Sequence, residues 1–140
     1  MRELKYKPIL MFIVIFAVVT IFPPNRIGSM GNKGAGYVNI SIDRFVEMMD
    51  QKDFVLINVH VPYEGEIPGT DLFIPYHSVK QNREKLPEAK DARIVVYCRT
   101  GPMGDTAAAK LTEMGYTQVF HLKDGMERWK ESGRELKFGQ

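Results

Sequence analysis

From Tyr37 onward, short apolar runs alternate with segments whose apolar residues recur every three or four positions. Val38-Asn39-Ile40 is a short strand candidate. Ser41 followed by Ile42, Phe45, Val46 and Met49 predicts an N-capped amphipathic helix. Phe54 to Val59 and Ile94 to Tyr97 are nearly continuous apolar runs, as expected of strands buried on both faces. Between them lie a turn-rich stretch from His60 to Thr70, a short strand at Leu72 to Ile74, and a predicted helix from Ser78 to Leu86 closed by Pro87. After Cys98 and a Gly/Pro loop, the pattern predicts a helix from Asp105 to Met114 stopped at Gly115. A strand at Val119 to Leu122 and a helix from Met126 to Ser132 follow. Strands alternating with helices at this spacing predict an α/β domain, a parallel sheet flanked by helices on both faces.

The first 36 residues follow a different pattern. Ile9 to Phe22 is apolar apart from Thr20, lies between Pro8 and Pro23, and is preceded by the basic stretch Met1 to Lys7. Its 14 residues reach about 21 Å as a helix, against about 30 Å of bilayer hydrocarbon. That length is compatible with a signal-peptide core or, extended by flanking residues, with an anchor. No Ala-x-Ala signature follows Phe22 and no cysteine stands near for lipidation, so an uncleaved anchor is the preferred expectation. Periplasmic or secreted release after cleavage is the alternative. Basic residues ahead of the apolar run place the folded part outside the cytoplasm. Gly28, Gly31, Gly34 and Gly36 give the next segment a flexible composition. The expected organisation is therefore a leader or anchor at 1–24, a linker at 25–36 and one α/β domain at 37–135.

Charge follows the same division. Arg2, Lys5, Lys7 and Arg26 against Glu3 leave the first 26 residues at +3, so the rest of a chain of net charge +2 carries −1. The folded part has no basic run, which argues against nucleic acid as a partner. His77 and His121 have no cysteine or carboxylate at ligand spacing, so neither a metal nor another cofactor is expected. The protein partner, if there is one, is not legible.

The candidate chemistry rests on the single cysteine. The segment from Val95 to Asp105 passes from a buried strand, through Cys98-Arg99-Thr100-Gly101-Pro102-Met103-Gly104, into a helix N-terminus. In open parallel sheets the functional crevice lies beyond the carboxyl ends of the strands, where Cys98 falls. Converging loop amides and the positive end of a helix dipole favour a thiolate, the nucleophilic form of cysteine. The alternative is that Cys98 is a small buried apolar residue.

Taken together, this loop, the Gly65-Glu66-Ile67-Pro68-Gly69-Thr70 turn, the strand Val55 to Val59 and the Asp124-Gly125-Met126 to Trp129 segment resemble the rhodanese family. The resemblance is to its single-domain sulfurtransferase type and covers about residues 37–133. It implies that Cys98 takes a sulfane sulfur from a small donor, holds it as a persulfide, and passes it to a thiol or to cyanide. Arg99, Thr100, Gly101, Pro102 and Met103 would form the substrate-binding loop. The departures are specific. Pro102, Met103 and Gly104 stand where family loops often carry an arginine or hydroxyl, and Pro102 removes an amide donor. Asp105 adds a negative charge at the helix start. Asn58-Val59-His60 replaces the usual Asp-Val-Arg, and Glu66 replaces the histidine before Ile-Pro-Gly. His60 and Glu66 are a candidate pair beside the site; the alternative is two solvated loop side chains. Trp129 and Phe120 read as core. Sulfur transfer is thus the leading expectation, a non-catalytic rhodanese-like interaction module the second. Phosphatase or arsenate-reductase chemistry is disfavoured because positions 100 to 105 hold no arginine to grip an oxyanion.

Overall fold

A computed structural model describes residues 36–139. The predicted leader and all but the last residue of the predicted linker lie outside the described residues. No helix among the described residues is long and apolar enough to cross a membrane.

Five strands form one sheet: β1 (Val38–Ile40), β2 (Val55–Asn58), β3 (Leu72–Phe73), β4 (Arg93–Tyr97) and β5 (Gln118–Leu122). Every neighbouring pair is parallel, in the order β1-β5-β4-β2-β3. Three α-helices connect and cover the strands: α1 (Ile42–Asp50), α2 (Pro102–Glu113) and α3 (Gly125–Glu131). Side chains alternate across a strand, so the two faces of β4 feed two separate cores. Ile94, Val96 and Cys98 pack with Ala107, Ala108 and Leu111 of α2. Val95 and Tyr97 pack with Phe45 and Met48 of α1 and with Met126 and Trp129 of α3. Both cores depend on the central strands being apolar on both sides, the pattern read from the sequence.

The ends of the helices follow from particular residues. Ser41 Oγ accepts from the Arg44 N–H at 3.3 Å and starts α1, whose buried face is Ile42, Phe45 and Met48, with Val46 and Met49 partly buried. Helix α2 begins three residues before the predicted Asp105, because Pro102 occupies its first position, where a missing N–H costs nothing and the fixed φ suits the helix. The predicted helix from Ser78 to Leu86 is a correction: the segment forms two single 3-10 turns, Tyr76–Ser78 and Arg83–Lys85. Ser78 Oγ donates to the Pro75 carbonyl and Asn82 Nδ2 to the Ser78 carbonyl, and such local side-chain bonds compete with a continuous helix. Only Val79 and Leu86 of this segment are buried. Trp129 is core, as expected, with Nε1 donating to the Glu135 carbonyl at 2.9 Å, and Phe120 packs partly buried against the same core.

Candidate active site

Strand β4 delivers Cys98 to the carboxyl edge of the sheet, where it is 1% exposed. Its Sγ accepts a hydrogen bond from the Gly101 N–H at 3.0 Å, and an N–H donated to sulfur favours the anion. Gly101 has φ +128°, and a Cβ there would lie 2.5 Å from the Lys123 carbonyl oxygen. Only glycine can turn the chain at this point. No side chain caps α2. The amides of Met103 and Gly104 precede its first intrahelical bond, from the Asp105 N–H to the Gly101 carbonyl at 2.9 Å. These amides and the positive end of the helix face the loop that carries sulfur.

Helix α3 grips the other side of the loop. The Met126 and Glu127 N–H groups donate to the carbonyls of Cys98 and Arg99, each at 3.0 Å. Gly125, with φ +53°, makes this approach possible, since a Cβ there would stand 2.1 Å from the Cys98 oxygen. Of the remaining loop residues, Arg99 and Thr100 are exposed. Pro102 opens α2, and Met103 packs half-buried against the α2-side core.

The loop after β2 flanks this centre. Asn58, fully buried, accepts from the His60 N–H through Oδ1 and donates to the Gly65 carbonyl through Nδ2, both at 3.0 Å, tying the two ends of the 60–65 loop together. Tyr97 anchors the next turn: its hydroxyl accepts from the Ile67 N–H at 3.0 Å and donates to Thr70 Oγ1 at 2.7 Å. The expected pair of His60 and Glu66 does not form. His60 Nε2 bonds instead to Glu64 Oε2 at 2.8 Å, and Glu66 turns away to Lys137 at 3.2 Å, beside an antiparallel bridge between the same two residues. Glu64 also approaches Arg99 Nη1 at 3.3 Å. The hydrogen bond from His60, chiefly, and the Arg99 charge hold the Glu64 carboxyl below its usual pKa. A polar arrangement of His60, Glu64 and Arg99 therefore stands at the edge of the loop. Asp105 is taken up by Tyr37, whose hydroxyl donates to Oδ1; burial, with this acceptor beside it, pushes the Tyr37 pKa up to about 12.

A cavity of about 400 Å³ opens between Glu64, Arg99, α3 and the C-terminal residues Leu136 and Phe138. Cys98 does not line it. Glu64 is not among the candidates the sequence offers, and His121 is weighed there only as a metal ligand. Glu64 gave no signal short of knowing how the loop folds back. His121 did: Phe120 and Leu122 alternate toward one face, so His121 must point to the other, apolar face. It is 2% exposed there, with Nδ1 2.8 Å from Asn39 Oδ1.

A family model described as a rhodanese-like domain matches residues 41–132, from the cap of α1 to just past α3. The chain belongs to the rhodanese-like domain family. Among its relatives, a sulfurtransferase of Allochromatium vinosum is 33% identical over 89 residues, covering 61% of this chain and 80% of that protein. A tRNA uridine(34) hydroxylase of Enterobacter is 31% identical over 97 residues, but the rhodanese-like chain spans only 27% of its length. The human single-domain sulfurtransferase TSTD1 shares the fold with a TM-score of 0.59 at 21% identity, over 70% of this chain and 97% of its own. The family match and the likeness to the Allochromatium sulfurtransferase support a general role in sulfur transfer.

Proposed function

We propose that this protein is a sulfurtransferase in which the Cys98 thiolate carries sulfane sulfur as a persulfide. The observation that carries the reading is the amide of Gly101 donated to Cys98 Sγ at the uncapped N-terminus of α2, within a domain of the rhodanese-like family. With thiosulfate as donor, the thiolate attacks the outer sulfur. The bond between the two donor sulfurs breaks, sulfite leaves with its electron pair, and a Cys98 persulfide remains. A thiol or cyanide then attacks the terminal sulfur, the persulfide S–S bond breaks, and the thiolate returns. Neither step needs an external oxidant or reductant. Negative charge on the outer sulfur would be met by the amides of the α2 start, and Arg99 would stand at the entrance toward an anionic donor. Thr100 and Met103 complete the loop, while Pro102 supplies no amide.

The apolar run Ile9 to Phe22 behind its basic flank supports membrane attachment, with the domain outside the cytoplasm. A second reading, a non-catalytic interaction module, is favoured by the near-complete burial of Cys98 and by the missing amide at Pro102. Thiocyanate production from thiosulfate and cyanide separates the two. The native chain should turn over and Cys98→Ser should not; equal background rates from both would favour the module.

A further inference from the structure

One buried polar side chain beneath the cysteine loop has no part in the chemistry above. His121 projects from β5 toward α2. Nδ1 lies 2.8 Å from Asn39 Oδ1 on β1, while the opposite nitrogen, Nε2, is buried without a hydrogen bond of normal geometry, the Gly101 backbone being the main-chain group that acts on the ring. Nε2 faces Gly104. A methyl group on Gly104 would lie 2.5 Å from His121 Nε2, 2.8 Å from its Cδ2 and 3.5 Å from the Cys98 backbone nitrogen. Gly104 is not among the glycines with positive φ, so its backbone would accept any residue. The imidazole edge alone demands glycine there. The ring edge thus lies against the first turn of α2 at Gly104, on the side of that glycine that also approaches the Cys98 amide.

A core position with this shape would be filled more stably by an apolar side chain, because a buried ring nitrogen without a full hydrogen bond is destabilising. The charged and titratable groups facing the ring are Asp105 of α2, 3.7 Å from Nδ1, Asp124 after β5, and Tyr37 ahead of β1, whose ring meets the imidazole edge-on at 6.1 Å. Burial lowers the His121 pKa, and Asp105, the Gly101 backbone and Asp124 only partly oppose it, so the ring is neutral.

We propose that His121 is a positioning residue for the cysteine loop: its imidazole, oriented by Asn39, supports the Gly101–Gly104 turn and so keeps the Gly101 N–H aimed at Cys98 Sγ. The inference deepens the sulfur-transfer reading and rests on it for its consequence, but not for its test. Ultraviolet thiolate absorbance of the full chain is titrated against pH, with Cys98→Ser as blank. The variants are Gly104→Ala, His121→Ala and the double variant, with Trp129 fluorescence and thermal melting reporting the fold. Each single change should move the thiolate absorbance curve to higher pH relative to the native chain, by the equivalent of up to about tenfold less thiolate, the effect of losing one hydrogen bond to sulfur. In the double variant the methyl group added at position 104 enters the space the ring vacated, and the thiolate fraction should return to within about threefold of native. Asn39→Ala, at a half-buried edge-strand position, frees the ring to turn and should move the titration in the same direction even if a buried variant fails to fold. Folded single variants that titrate like the native chain, or a double variant as impaired as the product of the singles, would overturn the proposal. A shifted titration in a protein that accepts no sulfur would leave His121 its role and remove the sulfur-transfer reading instead.

Discussion

Gly125→Ala is the perturbation that most directly tests how the cysteine loop is held. The added Cβ would sit 2.1 Å from the Cys98 oxygen and 2.7 Å from the Arg99 oxygen, so α3 must retreat by roughly an ångström from van der Waals contact. Retreat breaks the bonds from the Met126 and Glu127 amides to those carbonyls, worth about 0.5–1.5 kcal/mol each. Alanine at φ +53° adds about 1–2 kcal/mol of backbone strain. The expected loss is therefore about 2–5 kcal/mol, or a fall in Tm of at least about 10 °C for a domain of this size. Gly133→Ala is the control, with φ +82° and nothing within 4 Å of its Cβ; it should show the strain of about 1–2 kcal/mol alone. Urea unfolding followed by Trp129 fluorescence gives both values. If Gly125→Ala costs no more than Gly133→Ala, the docking of α3 onto the loop carbonyls is not what fixes the loop.

Three other consequences follow from the same contacts. Tyr97→Phe leaves the buried Ile67 N–H without its acceptor and should cost about 1–3 kcal/mol in urea unfolding; a neutral result would mean that turn relaxes freely. His121 has its pKa lowered by burial from the ordinary 6.5, so below that value the unfolded chain binds a proton the folded chain refuses. Stability should fall as pH drops through this range, by at most about 1.4 kcal/mol per pH unit, and His121→Ala should flatten that limb by one proton in pH-dependent melts. Glu64→Gln removes a negative charge beside Arg99 and should lower KM for thiosulfate about threefold with kcat little changed; an increase in KM would place the donor elsewhere.

The sheet was legible because its central strands are short, apolar on both faces and separated by helical patterns; Val55 to Val59 and Ile94 to Tyr97 have no other stable use in a chain of this kind. The position of Cys98 at the end of β4 followed from the same pattern. Helix ends were less legible, since Pro102 and Ser78 act through local geometry that periodicity does not register. The partner of His60 is set by contacts distant in sequence. Glu66 is drawn off by Lys137, far along the chain, while Asn58 folds the intervening loop so that Glu64 reaches the imidazole. His121 was legible in part: strand alternation places it inward, but its position under Gly104 depends on where α2 begins, three residues earlier than the pattern indicated.

The central claim is that Cys98 carries sulfur, and intact-mass spectrometry after incubation with thiosulfate or a polysulfide tests it most directly. The native chain should gain the mass of one sulfur atom, lose it on addition of cyanide, and be matched by no gain in Cys98→Ser. A native chain that gains no sulfur from any donor, while Cys98 still reacts with an alkylating agent, would contradict the claim and leave the domain an interaction module.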